Sequence, residues 1–324
     1  MVKAIRFYET GGPEVLKLED IPLEPPAAGE VRVKIAAAGV NFIDVYFRNG
    51  HYPAKLPSGL GWEASGVITA LGEGVTGLTV GDRVADSTGH LSAYAHEANV
   101  PARLIIKLPD AIDTELAASL MIKGTTAEYL LRRTYPVKAG ETIVFYAAAG
   151  GVGQIACQWA RALGATVIGI VGSDAKAEIA RANGCAHTLV FGRDDIPKAV
   201  RELTNGEGVP VVYDSLGKDS FLTSLDCLRT YGLFVSFGSS SGPISVSDLG
   251  ILGQKGSLYA TRTMLLNYNG KREDLEPSTA ALFDMIASGK IKASISQRYS
   301  LADTAQAHRD LEGRKTTGAS ILLP

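Results

Sequence analysis

The feature that most constrains this chain is the run Thr142-Ile143-Val144-Phe145-Tyr146-Ala147-Ala148-Ala149-Gly150-Gly151-Val152-Gly153-Gln154-Ile155-Ala156, in which a buried-strand pattern meets small residues and then opens a helix. Small residues are needed where a backbone turns tightly and approaches a pyrophosphate, whose charge rests on the unpaired N–H groups of a helix N-terminus. The last glycine lets the helix pack closely on the strand. The pattern is Ala-x-x-Gly-x-x-Gly, with Ala147 where the strict fingerprint has its first glycine. A glycine-rich corner alone can be plain geometry. The strand-turn-helix context, with a second strand ending about twenty residues later, predicts a dinucleotide site held by Ala149, Gly150, Gly151 and Val152.

Around this turn the sequence alternates. Continuous apolar runs predict strands over 142–146, 166–171, 188–191, 209–214 and 233–237, with helical stretches over 152–163, 176–183, 196–204 and 220–229. Strands buried on both faces and separated by helices make a parallel, doubly wound α/β sheet with right-handed crossovers. The residues before it read instead as a β-rich domain, with strands over 2–7, 30–38, 66–71 and 83–85 broken by Gly11-Gly12-Pro13, Pro25-Pro26 and Gly72-Glu73-Gly74. After about residue 264 the pattern changes again, to a helix over 277–288, a strand over 293–299, a helix over 303–311 and an apolar tail over 320–323. That segment is too short for a core of its own and is expected to return to the first domain, giving boundaries of 1–123, 124–263 and 264–324.

Composition narrows the function classes. A length of 324 residues suits two domains, and 46% hydrophobic with 20% charged residues is a globular balance. A net charge of −2 gives no global positive field for nucleic acid or an anionic membrane surface. The N-terminus lacks the apolar run of a secretory leader and no stretch reaches the ~18 apolar residues of a membrane span, so a cytoplasmic protein is expected. Cys157, Cys185 and Cys227 are odd in number and widely spaced, which suits buried thiols rather than a disulfide framework or a CxxC zinc pair.

The end of the second strand selects the coenzyme. A NAD site places Asp or Glu there to bond the ribose 2′-OH, whereas this strand ends in Gly172-Ser173, with Lys176 three residues on. An ammonium at that point can pair with a 2′-phosphate, which favours NADPH. Asp174 weighs mildly against this, the alternative being Lys176 as a solvated helix residue.

The run Ala148-Ala149-Gly150-Gly151-Val152-Gly153, followed by Gln158 and Arg161, resembles the signature of the zeta-crystallin-like quinone oxidoreductases of the medium-chain dehydrogenase/reductase superfamily. Gly11-Gly12-Pro13-Glu14-Val15-Leu16, Gly39-Val40-Asn41-Phe42-Ile43-Asp44, Gly81-Asp82-Arg83-Val84, Val212-Tyr213-Asp214-Ser215 and Val235-Ser236-Phe237-Gly238 extend the resemblance over the whole chain. It implies a GroES-like β domain with a Rossmann domain inserted in it, an active cleft between the two, and a homodimer. Zinc members of the superfamily carry a cysteine after Gly-Val and a histidine in Gly-His-Glu; here those positions are Asn41 and Trp62, and an amide and an indole do not replace thiolate and imidazole. His51, His90, His96, His187 and His308 show no metal-ligand spacing. No bound metal is expected.

Without a Lewis acid an alkoxide would lack stabilisation, whereas a quinone or conjugated enone delocalises the charge arriving with a hydride. Such a substrate needs alignment over the nicotinamide and a hydrogen-bond donor at its carbonyl oxygen. Asn41, Tyr46 and Tyr52 are the candidates, Asn41 as amide donor or ribose contact and the tyrosines as ring faces and hydroxyl donors, against plainer roles as a cap and as core aromatics. The resemblance adds Thr126, Tyr129, Phe237 and Gly238 around the nicotinamide end and Ser215, Arg262 and Arg314 near the coenzyme, with Arg314 joining Lys176 on the 2′-phosphate. Phe191 stands where bacterial relatives have Tyr, which removes a hydroxyl but keeps a face for the adenine. The expected activity is NADPH-dependent quinone reduction. The alternatives are alkenal or enone double-bond reduction, and a non-catalytic crystallin-like or RNA-binding protein that uses the nucleotide for stability.

Overall fold

Strand Glu30–Val40 begins as a half-buried strand, with Val31, Val33 and Ile35 inward and Lys34 exposed, and is buried on both faces from Ala37 onward. It is the spine of a seven-stranded sheet ordered Ile295–Ser300, Ala319–Leu323, Glu30–Val40, Ala64–Leu71, Arg83–Asp86, Ile106–Lys107, with Glu97–Pro101 pairing Glu30–Val40 off that path. The pair Ile295–Ser300 and Ala319–Leu323 is parallel and the rest antiparallel. A smaller sheet joins Lys17–Ile21, Val2–Phe7 and Ser58–Gly59. Ile5, Phe7, Val33, Leu60, Ile68, Tyr94 and Leu322 pack into one core. These elements belong to one of two units in the computed structural model, which describes residues 1–87 and 91–324. That unit comprises Met1–Thr125, Tyr268–Ala287 and Ala293–Pro324; the other comprises Thr126–Asn267 and Ser288–Lys292. Helix α1, Phe42–Arg48, follows directly on the spine strand, and α2 spans Thr114–Tyr129.

The second unit is built on six parallel strands ordered His187–Val190, Thr166–Val171, Thr142–Tyr146, Val209–Asp214, Leu228–Ser236 and Tyr259–Arg262. In chain order this is 3-2-1-4-5-6, the doubly wound Rossmann arrangement, whose direction reverses between Thr142–Tyr146 and Val209–Asp214. Val209–Asp214 is buried at every position, as a strand covered on both faces requires. Helices α3, Gly151–Ala162, and α4, Asp174–Ala182, follow the first two strands of this unit. Among the described residues no helix is long and apolar enough to cross a membrane.

The strands at 142–146, 166–171 and 209–214 have the expected bounds. The strand expected over 188–191 is His187–Val190, so Phe191 stands just past its end, and the one expected over 233–237 begins earlier, as Leu228–Ser236, with a register shift near Val209. The helix expected from 277 starts at Arg272: Pro277 lies inside it rather than at its first turn, forgoing one bond to the carbonyl of Glu273. Edge strand Tyr259–Arg262 and helices α1 and α2 went unread, the first because YATR is neither apolar nor alternating in burial.

Candidate active site

The turn after Tyr146 is shaped by backbone contacts. Ala147 adopts φ +52, the left-handed conformation that the strict fingerprint gives to glycine, so the alanine holds the same turn under steric strain. The Gly150 N–H donates to the Ala147 carbonyl at 2.8 Å, and a Cβ on Gly153 would come within 2.4 Å of that oxygen and 2.7 Å of Ala148. Gly153 is therefore demanded by the approach of α3 to the strand. Gly150 is the N-cap and Gln154 donates back to it at 2.9 Å, which leaves the N–H groups of Gly151, Val152 and Gly153 as the first turn of α3.

At the neighbouring strand end, Ser173 caps α4 by accepting from the Lys176 N–H at 3.4 Å. Val171 and Val190 are partners across the sheet, and the Phe191 N–H donates to the Val171 carbonyl at 2.8 Å, so Gly172, Ser173 and Phe191 are neighbours. Phe191 meets the Tyr146 ring edge-on at 6.1 Å. Asp174, which counted against a 2′-phosphate site, is gripped by Arg193, whose Nη1 lies 2.8 Å from both its carboxylate oxygens. Arg193 also donates to Asp194 at 2.8 Å. Sequence reasoning missed Arg193, although a cation two residues beyond Phe191 is visible in Phe191-Gly192-Arg193.

On the other side of the sheet reversal, Asp214 and Ser236 are register partners and the Phe237 N–H donates to the Asp214 carbonyl at 2.8 Å. A Cβ on Gly238 would come within 2.6 Å of the Ser215 carbonyl, so Ser215, Phe237 and Gly238 are brought together at two adjacent strand ends. Asp214 shapes this corner: it accepts from the N–H groups of Leu216 and Gly217 and, at 2.6 Å, from the Ser224 hydroxyl. Arg262 ends the next strand, with Nη1 3.3 Å from the Ser236 carbonyl. Tyr129 is buried with its hydroxyl 3.3 Å from that of Thr263, and Thr126 is also buried. Arg314 belongs to the other unit, at φ +56 beyond helix Thr304–Glu312.

In the first unit, Asn41 is the N-cap residue of α1 and 7% exposed. Its side chain also bonds beyond the helix. Oδ1 accepts from Lys123 Nζ at 2.8 Å and Nδ2 donates to Glu63 Oε2 at 2.8 Å, while Lys123 and Glu63 form an ion pair at 3.1 Å with both side chains buried. The other Glu63 oxygen accepts from the Ile122 N–H at 2.8 Å. Asp44 Oδ2 accepts from the Asn41 N–H and the Tyr94 hydroxyl, each at 2.9 Å. Burial pushes Asp44 up to about 7, against the lowering effect of those two bonds and of Lys123, and burial likewise raises Asp86 to about 7. Tyr46 and Tyr52 meet edge-on at 5.3 Å, joined by Phe47, His51 and Phe42 in a half-exposed aromatic cluster, with Trp62 behind Phe47. The expected trio is thus present as an aromatic face and an engaged amide. Lys123 and Glu63 were missed; the available signal was a lone ammonium ending the apolar run Leu116-Ala117-Ala118-Ser119-Leu120-Met121-Ile122.

Two family models match: an alcohol dehydrogenase GroES-like domain over residues 27–133 and a zinc-binding dehydrogenase over 151–282. A quinone oxidoreductase of Pseudomonas aeruginosa is 50% identical, with all of both chains covered. The chain belongs to the quinone oxidoreductase family. Another member, the crystal structure of the Escherichia coli quinone oxidoreductase complexed with NADPH, is 47% identical, covers 99% of this chain and 100% of its own and superposes with a TM-score of 0.98. A 2-haloacrylate reductase of Burkholderia sp. is 43% identical over 100% of this chain and 99% of its own. The fold is that of the family, a GroES-like unit and a Rossmann unit in an α/β chain. The zinc of the family model's description does not fit this quinone oxidoreductase family chain. Asn41 turns its oxygen to an ammonium, Trp62 offers only an N–H donor, and Glu63 is already neutralised by Lys123, a cation that would repel another. Among the described residues no group of three or more His, Cys, Asp or Glu is disposed to hold a metal; His90 lies outside them.

Proposed function

We propose that this chain is an NADPH-dependent quinone reductase that works without a metal. The observation that carries the reading is the end of strand Thr166–Val171, where Ser173 and Lys176 stand in place of a free carboxylate and Asp174 is neutralised by Arg193. The E. coli relative in complex with NADPH and the P. aeruginosa quinone oxidoreductase support it.

The turn residues fit the coenzyme: Gly153 lets α3 start close against its strand, and the N–H groups of its first turn are donors for an incoming diphosphate. Ala149, Gly150, Gly151 and Val152 hold the diphosphate in this reading. Gly172, Ser173, Lys176 and Phe191 hold the adenosine end, with Arg314 as a second cation, and Thr126, Tyr129, Ser215, Phe237, Gly238 and Arg262 hold the rest. When bound, NADPH supplies a hydride from the nicotinamide C4 and leaves as NADP⁺, the quinone taking that hydride and one solvent proton to become the hydroquinone. Tyr46 and Tyr52 offer ring faces to a flat acceptor, and the Asn41 amide donates to its carbonyl oxygen, where negative charge grows during reduction.

A second reading is reduction of a carbon–carbon double bond next to a carbonyl, favoured by the likeness to the 2-haloacrylate reductase. The two are separated by following NADPH oxidation with benzoquinone, naphthoquinone, an enone and a haloacrylate. Turnover with the quinones is expected; turnover with the unsaturated acids or enones alone overturns the quinone assignment.

The protein is further proposed to be a cytoplasmic homodimer. Cys157, Cys185 and Cys227, all buried and outside any disulfide, suit a reducing compartment. Strand Tyr259–Arg262 ends its sheet and carries Tyr259 at 63% exposure, an edge suited to pairing with a second copy. Sedimentation equilibrium giving a monomer would remove the dimer.

A further inference from the structure

The first unit buries a charged pair that the reading above does not use. Lys123 on α2 is 5% exposed and Glu63, beside strand Ala64–Leu71, is 0% exposed. A hydrophobic pair of similar volume would stabilise such a site about as well as ions do. The pair therefore needs another account, and the third member of the cluster provides one.

A side-chain amide can turn over, exchanging oxygen and NH₂, wherever its neighbours both donate and accept. Asn41 has no such neighbours on these two sides. The Lys123 ammonium, 2.8 Å from Oδ1, can only donate, and the Glu63 carboxylate, 2.8 Å from Nδ2, can only accept. Turned over, Asn41 would set NH₂ against an ammonium and its oxygen against a carboxylate. The Ile122 N–H at 2.8 Å fixes the second Glu63 oxygen to α2, so the carboxylate cannot swing to relieve that clash. The Asn41 backbone is tied separately, its N–H donating to Asp44 at 2.9 Å.

We propose that Lys123 and Glu63 are positioning residues of the reduction, a charged lock that holds the Asn41 amide in one orientation with its second N–H directed as donor to the carbonyl oxygen of the acceptor. The proposal rests on the reading of Asn41 as that donor. Nδ2 carries two hydrogens and Glu63 takes one. The charge-assisted bond from Lys123 to Oδ1 polarises the amide and strengthens its remaining N–H as a donor.

The test compares Asn41→Ala, the double variant Lys123→Met with Glu63→Leu, and the triple variant. The double variant removes both charges together, so no lone ion stays buried. It is expected to lower kcat about 100-fold, the scale of losing one oriented donor, while the dissociation constant for NADPH stays at the wild-type value. In the Asn41→Ala background the same pair of changes should lower kcat no further, since the lock acts through the amide. A wild-type kcat in the folded double variant, with Asn41→Ala impaired, overturns the lock and leaves the donor reading standing. Wild-type turnover in Asn41→Ala overturns both, and a further loss in the triple variant overturns action through Asn41. Should the double variant not fold, nitrogen-15 spectra of the wild-type protein decide: one slowly exchanging pair of Asn41 amide hydrogens supports the lock, and an averaged or doubled pair overturns it.

Discussion

The α3 turn and the Asn41 cluster solve opposite problems with opposite materials. The turn is built from what is missing, since Gly153 has no Cβ where one would meet the Ala147 carbonyl at 2.4 Å, and a left-handed Ala147 carries the strand tightly into α3. The cluster is built from what is added: Asn41, Glu63, Lys123 and Asp44 bring polar and charged groups into an interior where each must find a partner. Small residues leave a local mark in the sequence, whereas charge compensation is a long-range property. Asn41 and Glu63 are separated by 22 positions and Asn41 and Lys123 by 82.

The contrast is broken most sharply by changing one member of the ion pair. Glu63→Leu leaves the Lys123 ammonium buried without its carboxylate, so thermal or urea denaturation should show a loss of roughly 3–5 kcal/mol, most of it recovered when Lys123→Met is added. Additive losses would show that the two residues do not act as a pair.

Gly153→Ala is the matching test of the turn. Its Cβ would meet backbone at 2.4 Å, and backbone cannot step aside as a flexible side chain would. A loss of roughly 1–3 kcal/mol in stability, with weaker coenzyme binding, is expected. An unchanged protein would mean that α3 does not approach the strand as closely as described.

The cluster should also set a pH dependence that the turn does not. Burial raises Asp44 and Asp86 from 3.8 to about 7, so the native state holds protons that the unfolded chain has released between those values. Their stabilising contribution is full below about pH 4 and is lost as pH rises through about 7. His308, pushed down to about 3 chiefly by burial, acts in the other direction: its contribution is full above its unfolded value of 6.5 and is lost as pH falls through about 3. Asp44→Asn cannot ionise, so its melting temperature relative to wild type should climb as pH rises from about 4 to above 7. A flat difference would show that Asp44 titrates normally.

How much could be read from the sequence follows the same division. The parallel strands, the small-residue turn and the missing carboxylate at Gly172-Ser173 were legible because each is a local pattern of residue size or periodicity. Asn41, Tyr46 and Tyr52 were legible as candidates through the chemistry of their side chains, an amide donor and two ring faces with hydroxyls. The sequence could not say that the Asn41 amide is held by Glu63 and Lys123, or that Arg193 neutralises Asp174 across 19 positions. Helix α1 was hidden because Phe42-Ile43-Asp44-Val45-Tyr46-Phe47 is mostly β-branched and aromatic; burial of Val45 and the Asp44 cap hold it helical.

The central claim is that a coenzyme carrying a 2′-phosphate rests on the Rossmann unit between α3 and Lys176. Calorimetric titration of wild type and Lys176→Ala with NADPH and with NADH tests it most directly. The account predicts tighter binding of NADPH by wild type and, in the variant, a loss of about tenfold, near 1.4 kcal/mol, for NADPH alone. Equal affinity for the two coenzymes, or equal losses in the variant, would contradict it.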